Sequence, residues 1–416
     1  MRISVIGLGY IGLPTAALLA RKKNKVLGID INPKIIETVN QGKIGIVEPG
    51  LENLVSAAVQ SNYLSASMTL ESSDVYLITV PTPITKEFLP DISYVESAAK
   101  SIAPFLKKGD LVILESTSPV GTTEKVVSLL KNKRGDLIFP DFHHQDDISD
   151  INIVYSPERV LPGNIIQELK TNDRIVGGIS ASCSIRGKAF YEGFIEGDCV
   201  ITDVRTAELC KLTENSFRDV NIAFANELSM IADDHEINVW ELIRLANLHP
   251  RVNILKPGPG VGGHCIAVDP WFIINSNPNN SKIIRTAREV NDSKPEYVLD
   301  KVVSYLNKVK KPLKEIIVSC LGLSFKPNID DLRESPALYI AQELSKFNLN
   351  RLSIVEPNIN FLPKGFSGIA HLENIQESIN SSDLILLLVD HDEFKELDSD
   401  LLKKKLVIDT RGIWSS

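Results

Sequence analysis

The sequence lacks most of what would staple it, carry it through a membrane or seat it on a polyanion. Its 416 residues include only five cysteines, at 183, 199, 210, 265 and 320, with no C-x-x-C pair and no metal-like spacing. An odd, unpatterned set excludes a disulfide framework and reads as a reducing compartment. Positive charge is not in excess: 45 Lys and Arg against 53 Asp and Glu leave a net charge of −8. That excludes a broad nucleic-acid surface, although a local basic pocket stays compatible with it. Only Ile3–Ala20 is long and uncharged. Three glycines and a proline interrupt it, and the basic "RKKNK" follows it, the reverse of a secretory signal. No other run nears the roughly 20 apolar residues of a membrane span. A cytoplasmic location is expected. Low-complexity segments and short repeats are absent too.

What is present is an ordinary globular composition, long enough for two or three domains. "RISVIGLGYIGLPTAALLARKKNKVLGIDIN" reads as strand, tight turn, helix, strand. Strand-like "SSDVYLITVPTP", "GDLVILESTSPVG" and "INIVYSPE" follow, with helical "ISYVESAAKSIAPFL" among them. This alternation predicts a parallel, doubly wound sheet over residues 1–200. Residues 201–312 change texture. "TAELCKLTENSFRDVNIAFANELSMIADDHEI" is one long amphipathic helix, with Leu209, Leu212, Phe217, Val220, Phe224, Leu228 and Ile231 near one stripe. "VWELIRLANLH" and "SKIIRTAREVND" are also helical. Over residues 313–416 the α/β texture returns, with strands in "EIIVSCLGLS", "LSIVEP", "DLILLLVD" and "LVIDTRG" and a helix in "PALYIAQELSKF". The two α/β ends suit a distant structural repeat that their sequences do not display.

"GLGYIG" places Gly7, Gly9 and Gly12 in the dinucleotide fingerprint G-x-G-x-x-G, between a strand and a helix. Gly7 allows the turn, Gly9 lets backbone amides approach a pyrophosphate, and Gly12 allows close helix–strand packing. Asp30, closing the next strand, would bind ribose hydroxyls and repel a 2′-phosphate, so NAD is expected rather than NADP. A flavin dinucleotide would use the same fingerprint, but no second feature speaks for one.

Three stretches carry polar groups that a plain fold does not require. In "LCKLTENSFRD", Lys211 and Asn215 share a helix face, and Arg218 follows three residues later. Lys211 suits an oxyanion partner, or a base if burial lowers its pKa; a solvated face is the plain alternative. In "GPGVGGHCIAVDPW", glycines expose amides ahead of Cys265, and Asp269 lies four residues on. Cys265 is either a small buried residue or a nucleophile toward a bound substrate, and position alone leaves both readings open. In "LSFKPNIDDLRES", Lys326 and Arg333 suit phosphate or carboxylate, or a charged surface loop. His143 and His144 read as surface residues.

Together with "GLGYIGLP", "VPTP", "STSPVGTT", "YSPERVLPG" and the final "DTRGIW", these stretches run in the order of the UDP-glucose/GDP-mannose dehydrogenase family, which the chain resembles over nearly its whole length. "SPERVLPGN" and "HPRVNILKPGPGVGGHCIAVDPWF" are similar to the branch acting on N-acetylated UDP-hexosamines. The resemblance implies two Rossmann-like domains joined by a central helical dimerisation region. It also implies two successive NAD-dependent oxidations of a sugar C6 alcohol to a carboxylate, with UDP-N-acetyl-D-mannosamine as the expected substrate. UDP-N-acetylglucosamine and UDP-glucose are the alternatives within the class. A two-electron hydroxyacid dehydrogenase would need neither Cys265 nor the third segment, and a non-catalytic nucleotide-binding regulator would not need Lys211, Asn215, Cys265 and Asp269 together.

By matching positions, the resemblance makes Cys265 a nucleophile that carries the aldehyde as a thiohemiacetal and then as a thioester. Lys211 and Asn215 would steady oxyanions, and Asp269 with Thr117 would hold a water. Whether Lys211 or that water is the first base stays open. Gly7, Gly9, Tyr10, Ile11, Gly12, Asp30, Thr82, Thr117 and Arg333 would meet NAD. Arg159, Val160, Lys211, Asn215, Arg218, His249, Arg251, Gly262, Phe325, Lys326 and Arg411 would surround the UDP-sugar. A homodimer is implied, with Arg251 reaching the partner's active site. The chain departs from the UDP-glucose pattern at Pro162 and Val268, and Ile35 replaces a basic residue usual near the ribose acid, for which Lys34 is the substitute.

Overall fold

A computed structural model describes residues 1–46, 48–144, 148–161 and 163–414; the departure at Pro162 lies outside them. The chain divides into two compact units, Met1–Glu214 with Trp271–Ser276, and Asn215–Pro270 with Asn277–Ser416.

The first unit is built on eight strands: β1 (Arg2–Ile6), β2 (Lys25–Ile29), β3 (Leu64–Ser67), β4 (Val75–Ile78), β5 (Leu111–Leu114), β6 (Asn152–Tyr155), β7 (Arg174–Gly178) and β8 (Cys199–Asp203). They lie in the order β3-β2-β1-β4-β5-β6-β7-β8. The central strands β1, β4 and β5 are buried along almost their whole length, as apolar runs covered on both faces must be. The doubly wound order is the expected one, with one difference: β7 runs antiparallel to β6. Sequence periodicity reveals an apolar run but not its direction. β3, β7 and β8 also escaped the sequence reading, because residues such as Ser65, Arg174, Gly177 and Thr202 break the apolar signature.

The second unit carries β9 (Ile317–Leu321), β10 (Arg351–Val355), β11 (Ala370–Leu372), β12 (Leu384–Leu387) and β13 (Leu406–Asp409), all parallel. Their order is β11-β10-β9-β12-β13, which matches, strand for strand, the first five of the larger sheet. The repeat that the sequence hides is thus written in the topology. The short strand β11 is the one the sequence did not announce.

The helix Val204–Asp234 runs 31 residues without a glycine or proline. Its buried side is small and polar: Ala207, Glu208, Leu212, Ser216, Asp219, Ala223, Asn226, Ser229 and Ala232. The apolar stripe read from the sequence lies mostly on the other side, where Leu209, Phe217, Phe224 and Ile231 are exposed; Leu212 alone in that set is fully buried. Against the small side, within the second unit, packs the helix Lys282–Leu306, with a chain of buried polar contacts. Arg288 donates to Asp219, Asn291 Nδ2 donates to Asp219 Oδ1 at 2.8 Å, and Asn226 Nδ2 donates to Asn291 Oδ1 at 2.9 Å. Asn226 Oδ1 then accepts the Gly258 amide at 2.8 Å. Removing one partner of such a buried network strands the others without water, at about 1–3 kcal/mol per group. The network therefore fixes where the glycine-rich loop begins. Pro295, inside the same helix, leaves the Asn291 carbonyl without its usual partner, and that carbonyl borders Gly260.

Candidate active site

The nucleotide cradle follows from three glycines with different tasks. Gly7 leaves β1 at φ +98°, donates to the Ile29 carbonyl at 2.8 Å, and would press a Cβ against the Thr79 carbonyl at 2.9 Å. Gly9 has nothing within 4 Å of a built Cβ, so the backbone there is open to a ligand. Gly12 opens the helix Gly12–Arg21, and a Cβ on it would sit 1.8 Å from the Gly7 carbonyl oxygen. No side chain caps that helix and no acid lies in its first turn, which leaves its partial positive charge for an anion. Asp30 is half-buried; its Oδ2 accepts the Leu8 amide at 3.0 Å and its Oδ1 the Asn32 amide at 2.9 Å. The carboxylate is thereby aimed before any ribose arrives. These residues fit a dinucleotide. Tyr10 and Ile11 stand at the cradle's edge, and Thr82 Oγ1 donates to the Thr117 carbonyl, joining the loops after β4 and β5.

The turn that carries Thr117 has an anchor the sequence reading missed. Glu208 is fully buried, and its carboxylate accepts the amides of Gly121 (2.6 Å) and Thr123 (2.8 Å) and the Thr123 hydroxyl (2.6 Å). It caps the helix Thr122–Lys133 from outside, since Gly121 has no side chain to do so. Burial raises its pKa to about 7, against the pull of those donors. The available signal was its place in "AELCK", a charged residue three before Lys211 on the buried side of the helix. A second cluster was equally hidden: Arg174 lies buried between Glu158 and Glu115, and Tyr191 donates to Glu115 at 2.6 Å. Arg159 pairs with Glu214 at 2.9 Å and donates to the Asp173 carbonyl, and Val160 packs against the cluster of Leu18, Ile165 and Leu169. Lys211 is half-buried, one helical turn before Asn215.

In the second unit Cys265 is exposed at the end of the glycine run. Its carbonyl accepts the amides of Val268 (3.1 Å) and Asp269 (2.9 Å), so the chain turns once and enters the helix Asp269–Ser276. The buried Asp269 carboxylate accepts a hydrogen bond from Asn215 Nδ2. Asn215, Cys265 and Asp269, 54 residues apart at the extremes, are thus brought together. Val268 is 8% exposed and packs inward, so it acts on the turn rather than as an open contact.

The glycines of this loop leave room for specific neighbours. A Cβ on Gly258 would lie 2.5 Å from an Arg411 nitrogen, and one on Gly262 would lie 2.9 Å from the Phe325 Cβ. Arg411 is held by Asp390 at 2.8 Å. Lys326, Arg218, His249 and Arg251 are exposed, and Arg333 forks onto Asp331 at 2.6 to 3.1 Å. His143 and His144 lie at the surface, as expected.

A doubly wound sheet with a glycine cradle and an acid closing its second strand, in a chain with an exposed thiol one turn before an amide-held carboxylate, defines an NAD-dependent dehydrogenase. Three family models match in sequence: the NAD-binding domain of the UDP-glucose/GDP-mannose dehydrogenase family over residues 1–195, its central domain over 205–293 and its UDP-binding domain over 319–416. The chain belongs to that family, and is an NAD-dependent UDP-sugar dehydrogenase. It is 56% identical to the UDP-N-acetyl-D-mannosamine dehydrogenase of Salmonella typhi, over 99% of each chain. It is also 56% identical to the NDP-N-acetyl-D-galactosaminuronic acid dehydrogenase of Ralstonia nicotianae, over 100% of this chain and 96% of the other. A solved UDP-N-acetyl-mannosamine dehydrogenase of Staphylococcus aureus superposes with a TM-score of 0.87 at 41% identity, covering 100% of this chain and 96% of that one. Among the described residues no helix is long and apolar enough to cross a membrane.

Proposed function

We propose that the protein oxidises the C6 alcohol of UDP-N-acetyl-D-mannosamine to the carboxylate in two NAD-dependent steps, with Cys265 as the covalent carrier. The observation that carries this reading is that Asn215, on the long helix, reaches the carboxylate of Asp269 on the turn that starts at Cys265. The names of relatives in Salmonella typhi and Staphylococcus aureus support this choice of sugar. The equally similar Ralstonia relative makes an N-acetylgalactosamine sugar the competing substrate.

Held by the glycine cradle and Asp30, NAD would supply the acceptor for one hydride from C6 in each oxidation. Lys211 and Asn215 steady the oxygen of C6 as it loses its proton and later as it becomes tetrahedral. The Cys265 thiolate adds to the aldehyde carbon, so that the aldehyde stays bound as a thiohemiacetal. After the second oxidation the same sulfur carries a thioester. Asp269, oriented by Asn215, and Thr117 hold the water that cleaves it, returning the thiol and releasing the carboxylate. Lys326, Arg411, Phe325 and Gly262, with Arg159, Val160, Arg218, His249 and Arg251, hold the nucleotide sugar, and Arg333 joins Tyr10, Ile11, Asp30, Thr82 and Thr117 on the cofactor.

In this reading residues 1–200 bind NAD, 201–312 supply the catalytic helix and the dimer interface, and 313–416 bind UDP. The enzyme acts in the cytoplasm as a homodimer in which Arg251 serves the partner's site. The exposed stripe Leu209, Phe217, Phe224 and Ile231 supports a dimer, because a run of large apolar side chains along one helix is costly to leave in water.

The test is to supply purified protein with NAD and a panel of UDP-sugars and count NADH per sugar. Two NADH per UDP-N-acetyl-D-mannosamine is expected. One NADH, or none with any UDP-sugar, sinks the reading; a marked preference for an N-acetylgalactosamine donor moves it to that epimer.

A further inference from the structure

The second sheet repeats the cofactor cradle of the first at the level of individual hydrogen bonds. Gly322 leaves β9 at φ +94° and donates to the Val355 carbonyl at 2.8 Å, as Gly7 leaves β1 at φ +98° and donates to Ile29 at 2.8 Å. Leu323 donates to Glu356 Oε2 at 2.7 Å, as Leu8 donates to Asp30 Oδ2 at 3.0 Å. Glu356 is therefore the positional twin of the ribose-binding acid. It differs in being 3% exposed. His391, itself fully buried, places Nε2 at 3.1 Å from Glu356 Oε2, and the Ser324 amide donates to the same oxygen at 3.1 Å. Burial works to raise the Glu356 pKa, but the His391 hydrogen bond and the two amides outweigh it and hold the carboxyl below its ordinary range. The acid that a ribose would use is consumed within the protein.

The other nitrogen of His391 shows what that arrangement achieves. Asn328 donates its backbone N–H to His391 Nδ1 at 2.9 Å, so Nδ1 carries no proton and the ring's N–H is on Nε2, toward Glu356. Asn328 adopts φ +61°, a left-handed conformation that asparagine tolerates, and this conformation delivers the amide to the ring. Asn328 Nδ2 donates to the Asp392 carboxylate at 2.7 Å and the Asp392 amide donates back to Asn328 Oδ1 at 3.1 Å, closing the same corner. Ser324 Oγ donates to the Lys326 carbonyl at 2.8 Å. Everything between these anchors is the segment Ser324–Asn328, which presents Phe325 to Gly262 and Gly263 and leaves Lys326 exposed.

We propose that His391 is a positioning residue for UDP-sugar binding: through Nδ1 it pins the Asn328 amide and so sets the Phe325–Lys326 segment, using the disabled ribose acid Glu356 as its backstop. This rests on the reading above that Phe325 and Lys326 meet the nucleotide sugar. The histidine itself touches no ligand.

Two amides divide its functions, because an asparagine oxygen can stand in for Nδ1 and a glutamine nitrogen for Nε2. Calorimetric titration of the full-length protein with UDP and, separately, with NAD reads both sites without turnover. His391→Gln is expected to weaken UDP about tenfold, the scale of one lost buried hydrogen bond, with NAD affinity unchanged and the KM for the UDP-sugar raised in parallel. His391→Asn, which keeps an acceptor for Asn328, is expected to stay within about threefold of wild type for UDP, well inside the effect of one lost hydrogen bond. Wild-type affinity in His391→Gln, equal losses in both variants, or a matching loss of NAD affinity would each overturn the assignment. If His391→Gln does not fold, His391→Asn decides: a tenfold loss in that variant overturns it and near-wild-type affinity supports it. A wild-type protein that binds NAD but not UDP overturns the UDP-sugar reading itself, and this inference with it.

Discussion

Asn215 donates its side-chain amide to the Asp269 carboxylate, and Asp269 in turn donates its backbone amide to the Cys265 carbonyl at 2.9 Å. An asparagine on the long helix thus orients an acid one turn beyond Cys265, the acid to which the proposed mechanism gives the hydrolytic water. Asp269→Asn keeps the shape and removes the base. Thioester hydrolysis should slow by about 10²-fold or more, the usual worth of a placed general base. The acyl group should then accumulate on Cys265 after a burst of NADH. Intact-protein mass spectrometry after mixing with NAD and UDP-sugar checks this; an unmodified protein turning over slowly would argue against hydrolysis as the blocked step.

Cys265→Ser keeps the size of the side chain but gives up a thiolate nucleophile and its thioester. The variant should stop at the aldehyde level, with at most one NADH per sugar and no uronate by product analysis. Undiminished carboxylate would exclude the covalent route.

Gly12→Ala places a methyl group 1.8 Å from the Gly7 carbonyl oxygen and 2.5 Å from Thr79 Oγ1, with no flexible neighbour able to give way at the carbonyl. The helix must move off the strand, and the amides offered to the pyrophosphate move with it. NAD affinity should fall at least tenfold, about 1.4 kcal/mol, while UDP binding is retained. Titration with each ligand separates the two effects.

Glu208 supplies a pH signature. Burial raises its folded-state pKa from the ordinary 4.5 to about 7. The folded state therefore holds its proton more tightly than the unfolded chain does. The resulting stability is fully present below about pH 4.5 and is lost as the pH rises through about 7. A shift of this size corresponds to roughly 3 kcal/mol as an order of magnitude. Glu208→Gln removes the titration, so the variant should gain on the wild type between pH 5 and 8 in urea unfolding. Parallel pH profiles for the two proteins would contradict it.

The exposed aromatics Phe217 and Phe224, 68% and 58% accessible in the single chain, lie seven residues apart on the long helix. Phe224→Glu introduces a charge into the proposed interface without touching the buried side of the helix. Sedimentation should find the wild type dimeric and the variant monomeric. A variant dimer of unchanged stability would move the interface elsewhere.

Much of the cofactor site was legible because its requirements are local. Gly7, Gly9, Gly12 and Asp30 fall within one strand–turn–helix–strand unit, where spacing alone dictates geometry. The same holds for Cys265 and Asp269, one turn apart. The direction of β7 was not legible, since a strand's apolar pattern reads the same either way. The buried face of the helix Val204–Asp234 was also misjudged by pattern: large apolar residues normally mark the core, but here polar partners on the helix Lys282–Leu306 fill it and the large residues face out.

The sequence by itself determined the two α/β ends, the helical middle, the dinucleotide fingerprint and the thiol, because these rest on short-range periodicity and on glycines that only one backbone shape explains. Tertiary structure alone decided that Asn215 meets Asp269, that Glu208 caps a helix 85 residues away, and that the Glu356 carboxylate turns inward onto His391. Each of these is a pairing of polar groups across tens of residues. Such groups carry no periodic signal, and the cost of burying them unpaired becomes visible only once the chain has closed around them.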